Sequence, residues 1–445
     1  TTGSGNDGVY LNYGLTQLDI LANQTLTLSG DETTPDGAND MKAKITGSGN
    51  LAINATDKII LANTTNDYTG STTVNSGTLQ LGTDHALGNT SLLDIAAGAT
   101  TDMNGKTQTV GALGGSGSLN VNSGNLTVSN GGDFGGVIAG DAGMVDLTGG
   151  TLMLTGENTF TGATTVASGS LQIGNGGTTG SYAGNIANEG SVIFNRSDDI
   201  AYGGVVNGSG NLVKDGNGTL TLTGVNAYTG GTEVNAGTLQ IGDGGTNGII
   251  IGDIANAGGV VFNRSDDIAF GGVISGNGSM SKEGNGVLTL TADNTYTGTT
   301  SVNAGTLEIG NGGTGGSIAG DIVNAGSVVF NRSDNLAYGG VISGTGQVEQ
   351  AGNGTLTLTG NNTYDGGTQV SDGTLRLTGA GTPGSGTVNI ASQGTLLVDS
   401  PNGNAYTFNN RLEGDGQLQV AMGSKTDTFD FASGAGSRFT GKMNF

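Results

Sequence analysis

Neither cysteine nor tryptophan occurs anywhere in the 445 residues. Without cysteine there is no disulfide framework, although exported and cytosolic chains can both lack one. Proline appears three times against 90 glycines, so a collagen-like chain, which needs proline and a glycine at every third position, is excluded. Charged residues are scarce at 11%, yet the balance is one-sided, with 37 acids, 14 bases and a formal charge of −23. A surface of that sign repels phosphate backbones and anionic lipid, so no nucleic-acid partner is expected. No apolar run approaches the roughly 18 residues of a membrane span, so direct membrane insertion of this segment is not expected either. The chain opens Thr1-Thr2 rather than with methionine, which suggests an excised or processed piece without its targeting segment.

What is present is a repeat. "VIFNRSDDIAYGGVV" begins at Val192, "VVFNRSDDIAFGGVI" at Val260 and "VVFNRSDNLAYGGVI" at Val328, at a constant spacing of 68 residues. The same spacing separates "GTLMLTGENTFTG" at Gly150 from "GTLTLTGVNAYTG" at Gly218, and recurs at Gly286 and Gly354. Inside a unit, strand-sized apolar runs start at Leu220, Leu239, Val260 and Leu288, steps of 19, 21 and 28 residues. Short alternating strands at coil spacing, bounded by glycine and asparagine, predict a parallel β-solenoid. In Thr219-Leu220-Thr221-Leu222 the leucines share one face and the threonines the other. Three coils per unit are expected, and at about 4.8 Å per coil the chain would stack roughly 20 coils over about 100 Å. An earlier copy, "NDYTGSTTVNSGTLQLG" from Asn66, precedes its successor by 92 residues, 68 plus 24, which reads as one inserted coil. The chain divides on this basis into N-terminal coils at 1–133, four repeats at 134–400 and C-terminal coils at 401–445.

"GNGTLTLTGNNTYDGGTQVSDGTLRLTG" (Gly352 to Gly379) resembles the passenger-associated strand repeat of bacterial autotransporters. The segment from Gly77 to Leu119 is similar to the region that commonly follows it, and "FDFASGAGSRFTGKMNF" is similar to the stretch ahead of the membrane barrel. The resemblance implies an all-β fold, a right-handed, three-sided parallel β-helix. It also implies export to a Gram-negative cell surface, anchored through a C-terminal barrel that lies outside these residues, or secretion. It does not choose a function, since such passengers include adhesins, self-associating proteins, proteases and esterases.

Catalytic chemistry is tested motif by motif. The passenger proteases carry a "GDSGS"-like nucleophile, which this chain lacks, and a Ser-His-Asp triad would rest on the one histidine, His85, in an ordinary turn. The carboxylate pair Asp198-Asp199 invites comparison with polysaccharide-cleaving enzymes, which need two acids about 5 to 10 Å apart across one bond. Neighbours on an extended strand point apart, and the next pair, Asp266-Asp267, lies three coils on at about 14 Å by this coil count. The third copy reads Asp334-Asn335, so the second acid is dispensable. Calcium-roll and EF-hand spacings are missing. Glycine strings such as "GDGGTNG" (Gly242 to Gly248) lack the lysine and helix of a phosphate loop. A row of aromatics, Tyr68, Phe160, Tyr228, Tyr296 and Tyr364, reads as corner packing in preference to sugar stacking.

The sequence therefore predicts a non-enzymatic passenger with no catalytic, cofactor or metal residues. Its expected work is adhesion, above all cell-to-cell aggregation and biofilm formation through lateral association with copies on neighbouring cells. Host glycans or matrix proteins are the alternative partners, and an inert stalk for a functional segment elsewhere is the third reading. The candidate interaction strip combines outward Ile193, Val261 and Val329 with Asp198, Asp199, Asp266, Asp267, Asp334 and Asn335.

Overall fold

The computed structural model describes residues 14–30, 40–400, 406–423, 428–432, 434 and 438–445. Parts of the expected N-terminal and C-terminal coil regions, 1–13, 31–39 and segments between 401 and 437, lie outside the described residues. The described residues are all β, without a helix, and form a parallel β-solenoid of about 19 turns. They fall into two compact units, Thr1–Leu220 with Gly224–Gly230, and Thr221–Thr223 with Gly231–Phe445.

Alternation builds each coil. Strands such as Val287–Leu290 and Thr306–Ile309 bury every second residue. In the first unit Leu152, Leu171, Val192 and Leu212 lie in register on successive strands, all shut off from solvent. In the second unit Leu307, Val328 and Val348 do the same. Each such side chain contributes about 1.5–3 kcal/mol by leaving water. Within each unit, parallel stacking continues the column from coil to coil.

The coil count per repeat differs from the expected three. Within the second unit, Gly259–Phe262 stacks under Ser279–Lys282, then Thr300–Val302, then Ile322–Asn324. Three coils above Val260 therefore lies Ile322, and the repeat partner of Gly259–Phe262, Ser327–Phe330, is one strand further along the chain, in a different stack. The first unit behaves alike: Asn125–Val128 leads up through Met144–Leu147 and Thr164–Val166 to Ile186–Asn188, while the copy of this stretch is the next strand, Ser191–Phe194. A repeat is three coils and one extra strand. The 28-residue step from Val260 to Leu288 is the place where the extra strand enters, since Val260 pairs with Met280 and Leu288 sits above Ile268. By the same count the 24-residue insertion holds four strand positions, a coil and a further strand, where one coil is expected.

Polar groups inside the solenoid are arranged to stitch coils together. Asn294 is buried; its Oδ1 accepts the Ile274 N–H of the coil below at 2.9 Å and its Nδ2 donates to Ser317 O of the coil above at 3.0 Å. Asn66, Asn158 and Asn362 repeat the arrangement. Each brace satisfies backbone groups that would cost about 1–3 kcal/mol if left buried and unpaired.

Candidate functional site

The "FNRSD" corner is the most elaborate polar feature that recurs in both units. The strand ends with its phenylalanine pointing inward: Phe194, Phe262 and Phe330 are all buried. Two residues on, Arg196, Arg264 and Arg332 are buried as well, 8%, 4% and 9% exposed. Burial of a guanidinium requires that its donors be met, and they are. Arg264 donates from Nε and Nη2 to the two carboxylate oxygens of Asp266 at 2.8 and 2.6 Å, and from Nη1 to Gly248 O at 2.6 Å. Arg196 grips Asp198 in the same fork and donates to Gly180 O and Thr178 O. Arg332 pairs with Asp334, Gly316 O and additionally Asp293, at 3.1 Å. The fork is the geometry in which planar guanidinium and carboxylate bond most strongly. The hydrogen bonds from Arg196, Arg264 and Arg332 hold the carboxyls of Asp198, Asp266 and Asp334 below the usual carboxylate range.

The second acid of each pair does different work. Asp199 Oδ1 accepts the Thr219 N–H at 2.7 Å, and Asp267 Oδ1 accepts the Val287 N–H at 2.8 Å. Each ties its corner to the backbone of the next coil. The two neighbouring carboxylates are thus committed to separate partners, one to a guanidinium and one to an amide.

The glycine string is the lid of the same corner. Its carbonyls, those of Gly180, Gly248 and Gly316, turn towards arginine, while Gly176, Gly244 and Gly312 donate their N–H groups to the carbonyls of Asn195, Asn263 and Asn331. A phosphate cradle needs amide groups converging on open space, and here they close on the protein's own backbone. The positive φ of Gly176, Gly244 and Gly312, +90°, +93° and +84°, explains why glycine recurs at that turn.

The outward residues stand as the alternation predicts but do not converge. Ile193 lies between Gln172 and Val213, Val261 between Gln240 and Ser281, and Val329 between Glu308 and Glu349. Because a repeat advances by one strand beyond three coils, Val261 and Val329 belong to different stacks of the second unit. Asp266 and Asp267 are separated from Asp334 and Asn335 in the same way, and Ile193, Asp198 and Asp199 lie in the first unit. The second and third corners therefore stand on different stacks of the second unit and do not form one strip. The aromatics Tyr68, Phe160, Tyr228, Tyr296 and Tyr364 are buried, which leaves no ring face for a sugar. His85 is exposed in a turn with φ of 54°.

Two features escaped the sequence reading. One is a lysine in the core: Lys214 and Lys282 occupy an inward row directly above Phe194 and Phe262, each 2% exposed, and Gln350 takes the equivalent place above Phe330. Lys282 Nζ donates to Gly284 O and to Ala304 O, and Gln350 Nε2 donates to Gly352 O. The other is the difference between copies at the lid. A cavity of ≈ 290 Å³ at the first corner is lined by Glu157, Tyr182, Arg196 and Asp198, whereas one of ≈ 170 Å³ at the second is lined by Ile249, Ile250, Ile268 and Phe270. The three isoleucines at 249–251 stand out in the sequence against Ser181-Tyr182-Ala183 and Ser317-Ile318-Ala319, a signal that was there to be read.

With coils, braces and corners in place, the chain is a repeat-built parallel β-solenoid. The passenger-associated-transport-repeat family matches at residues 46–81, 149–173, 212–241, 280–309 and 348–377. The chain belongs to the autotransporter passengers built from this repeat, surface-exposed or secreted proteins of Gram-negative bacteria. It is 34% identical over 319 residues to the uncharacterized lipoprotein YdeK of Escherichia coli (strain K12), covering 70% of this chain and 23% of that protein. It is 39% identical over 165 residues to the adhesin BmaC autotransporter of Brucella suis biovar 1 (strain 1330), covering 32% of this chain and 5% of that protein. The uncharacterized protein YuaQ of Escherichia coli (strain K12) is 44% identical over 117 residues, 25% of this chain and 8% of that protein. The chain thus spans under a quarter of the length of each of these relatives. No solved structure matches it.

Proposed function

We propose that the chain is a non-enzymatic adhesive segment of a surface passenger, acting in cell-to-cell aggregation and biofilm formation by lateral association with other copies. The observation that carries this reading is the outward row Thr289, Glu308, Val329, Glu349, Gln369 and Asn389, held in register on successive parallel strands of the second unit. Such a row offers many weak hydrogen bonds at coil spacing, and their number, not the strength of any one, would hold two cells together. The likeness to a protein named as an adhesin supports it. Glu308 and Glu349 in that row, and a net charge of −23, oppose the meeting of two copies at low salt. Sedimentation velocity of the chain over a range of ionic strength is the test. Association that strengthens with salt or divalent cations is expected. A monomer at every salt and high protein concentration would sink the reading. Binding to immobilised glycans or matrix proteins in its place would favour the second kind of adhesin, and binding to nothing would favour a stalk.

A further inference from the structure

We propose that the corner of the second repeat is a docking site for a polypeptide that inserts an aliphatic side chain flanked by lysine or arginine. The inference does not rest on self-association. The cavity there, ≈ 170 Å³, is lined by Ile249, Ile250, Phe262, Ile268 and Phe270 and holds the volume of about six waters at roughly 30 Å³ each, room for one leucine-sized group. Its rim is apolar: Ile249 is 38% exposed, and Ile251, two residues along the same segment, is 43% exposed. The third repeat has Ser317 and Ala319 at these positions and the first has Ser181 and Ala183, so the scaffold tolerates small residues and the isoleucines are not needed for the fold. Large exposed aliphatic groups beside an apolar cavity mark a place where another molecule can remove area from water.

Charge selects the occupant. Asp243 in the lid stands where the other copies have Asn175 and Asn311, adding a charge to this corner alone. Asp243 accepts the Gly245 N–H and Asp253 the Val273 N–H, and neither stands in an ion pair among the described residues; Asp267 accepts the Val287 N–H and is also attracted by the Lys282 ammonium. Of the two buried cations of the corner, Arg264 is committed to Asp266 and Lys282 donates to the Gly284 and Ala304 carbonyls. An apolar cavity lined from a segment that also carries Asp243 and Asp253, neither in an ion pair, complements an apolar side chain among bases, and a second copy of a chain with charge −23 is a poor match.

The test is fluorescence anisotropy of the whole chain with a labelled dodecapeptide of alternating lysine and leucine. Lysine–serine and glutamate–leucine peptides serve as controls. The lysine–leucine peptide is expected to bind, and both controls to bind about tenfold more weakly or worse. I249S/I251A, which installs the residues of the third corner, should weaken the lysine–leucine peptide by about tenfold with an unchanged unfolding transition. D243N, which installs the residue of the other two lids, should weaken it by about threefold. Equal binding of the lysine–leucine and lysine–serine peptides would reduce the effect to bulk charge and overturn the proposal. Unchanged affinity in I249S/I251A, or no binding by the parent chain, would overturn it as well.

Discussion

The corners of the second and third repeats run through the same "VVFNRSD", yet one is a closed ionic joint and the other carries an apolar recess. At the third, Arg332 meets two carboxylates, Asp334 and Asp293. At the second, Arg264 meets Asp266, and the repeat position of Asp293 is Val225. Ser317 and Ala319 at one lid become Ile249 and Ile251 at the other. The lesson is a division of labour within a repeat. The strand, arginine and first aspartate keep the coil in shape, and the lid bonds its neighbouring coils through backbone atoms, as Ser317 does to Asn294, so that its side chains are free to change what the corner offers.

If that division holds, substitutions in the shared frame should be costly at either corner. The largest effect is expected from F330A, which empties a fully buried position and should cost about 3–5 kcal/mol in denaturant unfolding. F262A should cost less, because its ring already borders a cavity, and equal losses would break the comparison. N294A comes next. It strands the Ile274 N–H and removes one of the two donors to the Ser317 carbonyl, which keeps the backbone N–H of residue 294, and a loss of about 2 kcal/mol is expected by the same measurement.

A smaller effect tests whether hydroxyls can be exchanged between coils. Tyr296 and Tyr364 bond Thr300 and Thr368 four residues on, at 2.6 and 2.7 Å. Phe160 has no hydroxyl for Thr164, and Tyr182 from the following coil supplies it at 3.0 Å. Y182F should therefore cost about 1 kcal/mol, and F160Y in the same chain should recover most of it. Additive losses in the double variant would show that the two tyrosine positions are not interchangeable.

The smallest effect concerns charge in the core. Burial lowers the Lys282 ammonium below the ordinary lysine range. The protonated form is then penalised in the folded state, fully so at pH below the folded value. The penalty is relieved as pH rises from that value towards 10.5. K282Q, which copies Gln350, should be near neutral at pH 7 and should remove this alkaline gain, seen as a flatter dependence of stability on pH on the alkaline side below 10.5.

The coil was readable because alternation is local: Thr219-Leu220-Thr221-Leu222 declares its faces without reference to anything distant. The inward phenylalanines of "FNRSDD" and the outward Ile193, Val261 and Val329 follow from the same rule. Phase around the coil was hidden, because a 68-residue period looks the same whether it closes on its own face or on the next one. Only the pairing of Leu288 with Ile268, not with Val260, reveals the extra strand. The core lysines were hidden for another reason. Lys282 follows the alternation of "SMSK" faithfully, but a charge at an inward position is the last thing a hydrophobicity pattern leads one to place there.

The extra strand gives the gene a kind of gearing. Removing one whole repeat, for example residues 259–326, would rejoin like sequence to like sequence and leave every coil junction chemically intact. Yet each later outward side chain would be carried round to the neighbouring side, so the chain could lose one unit, keep its stability and present a rearranged surface. Loss of three units together would restore the original presentation. Changes in copy number could thus vary what a partner meets without any point substitution.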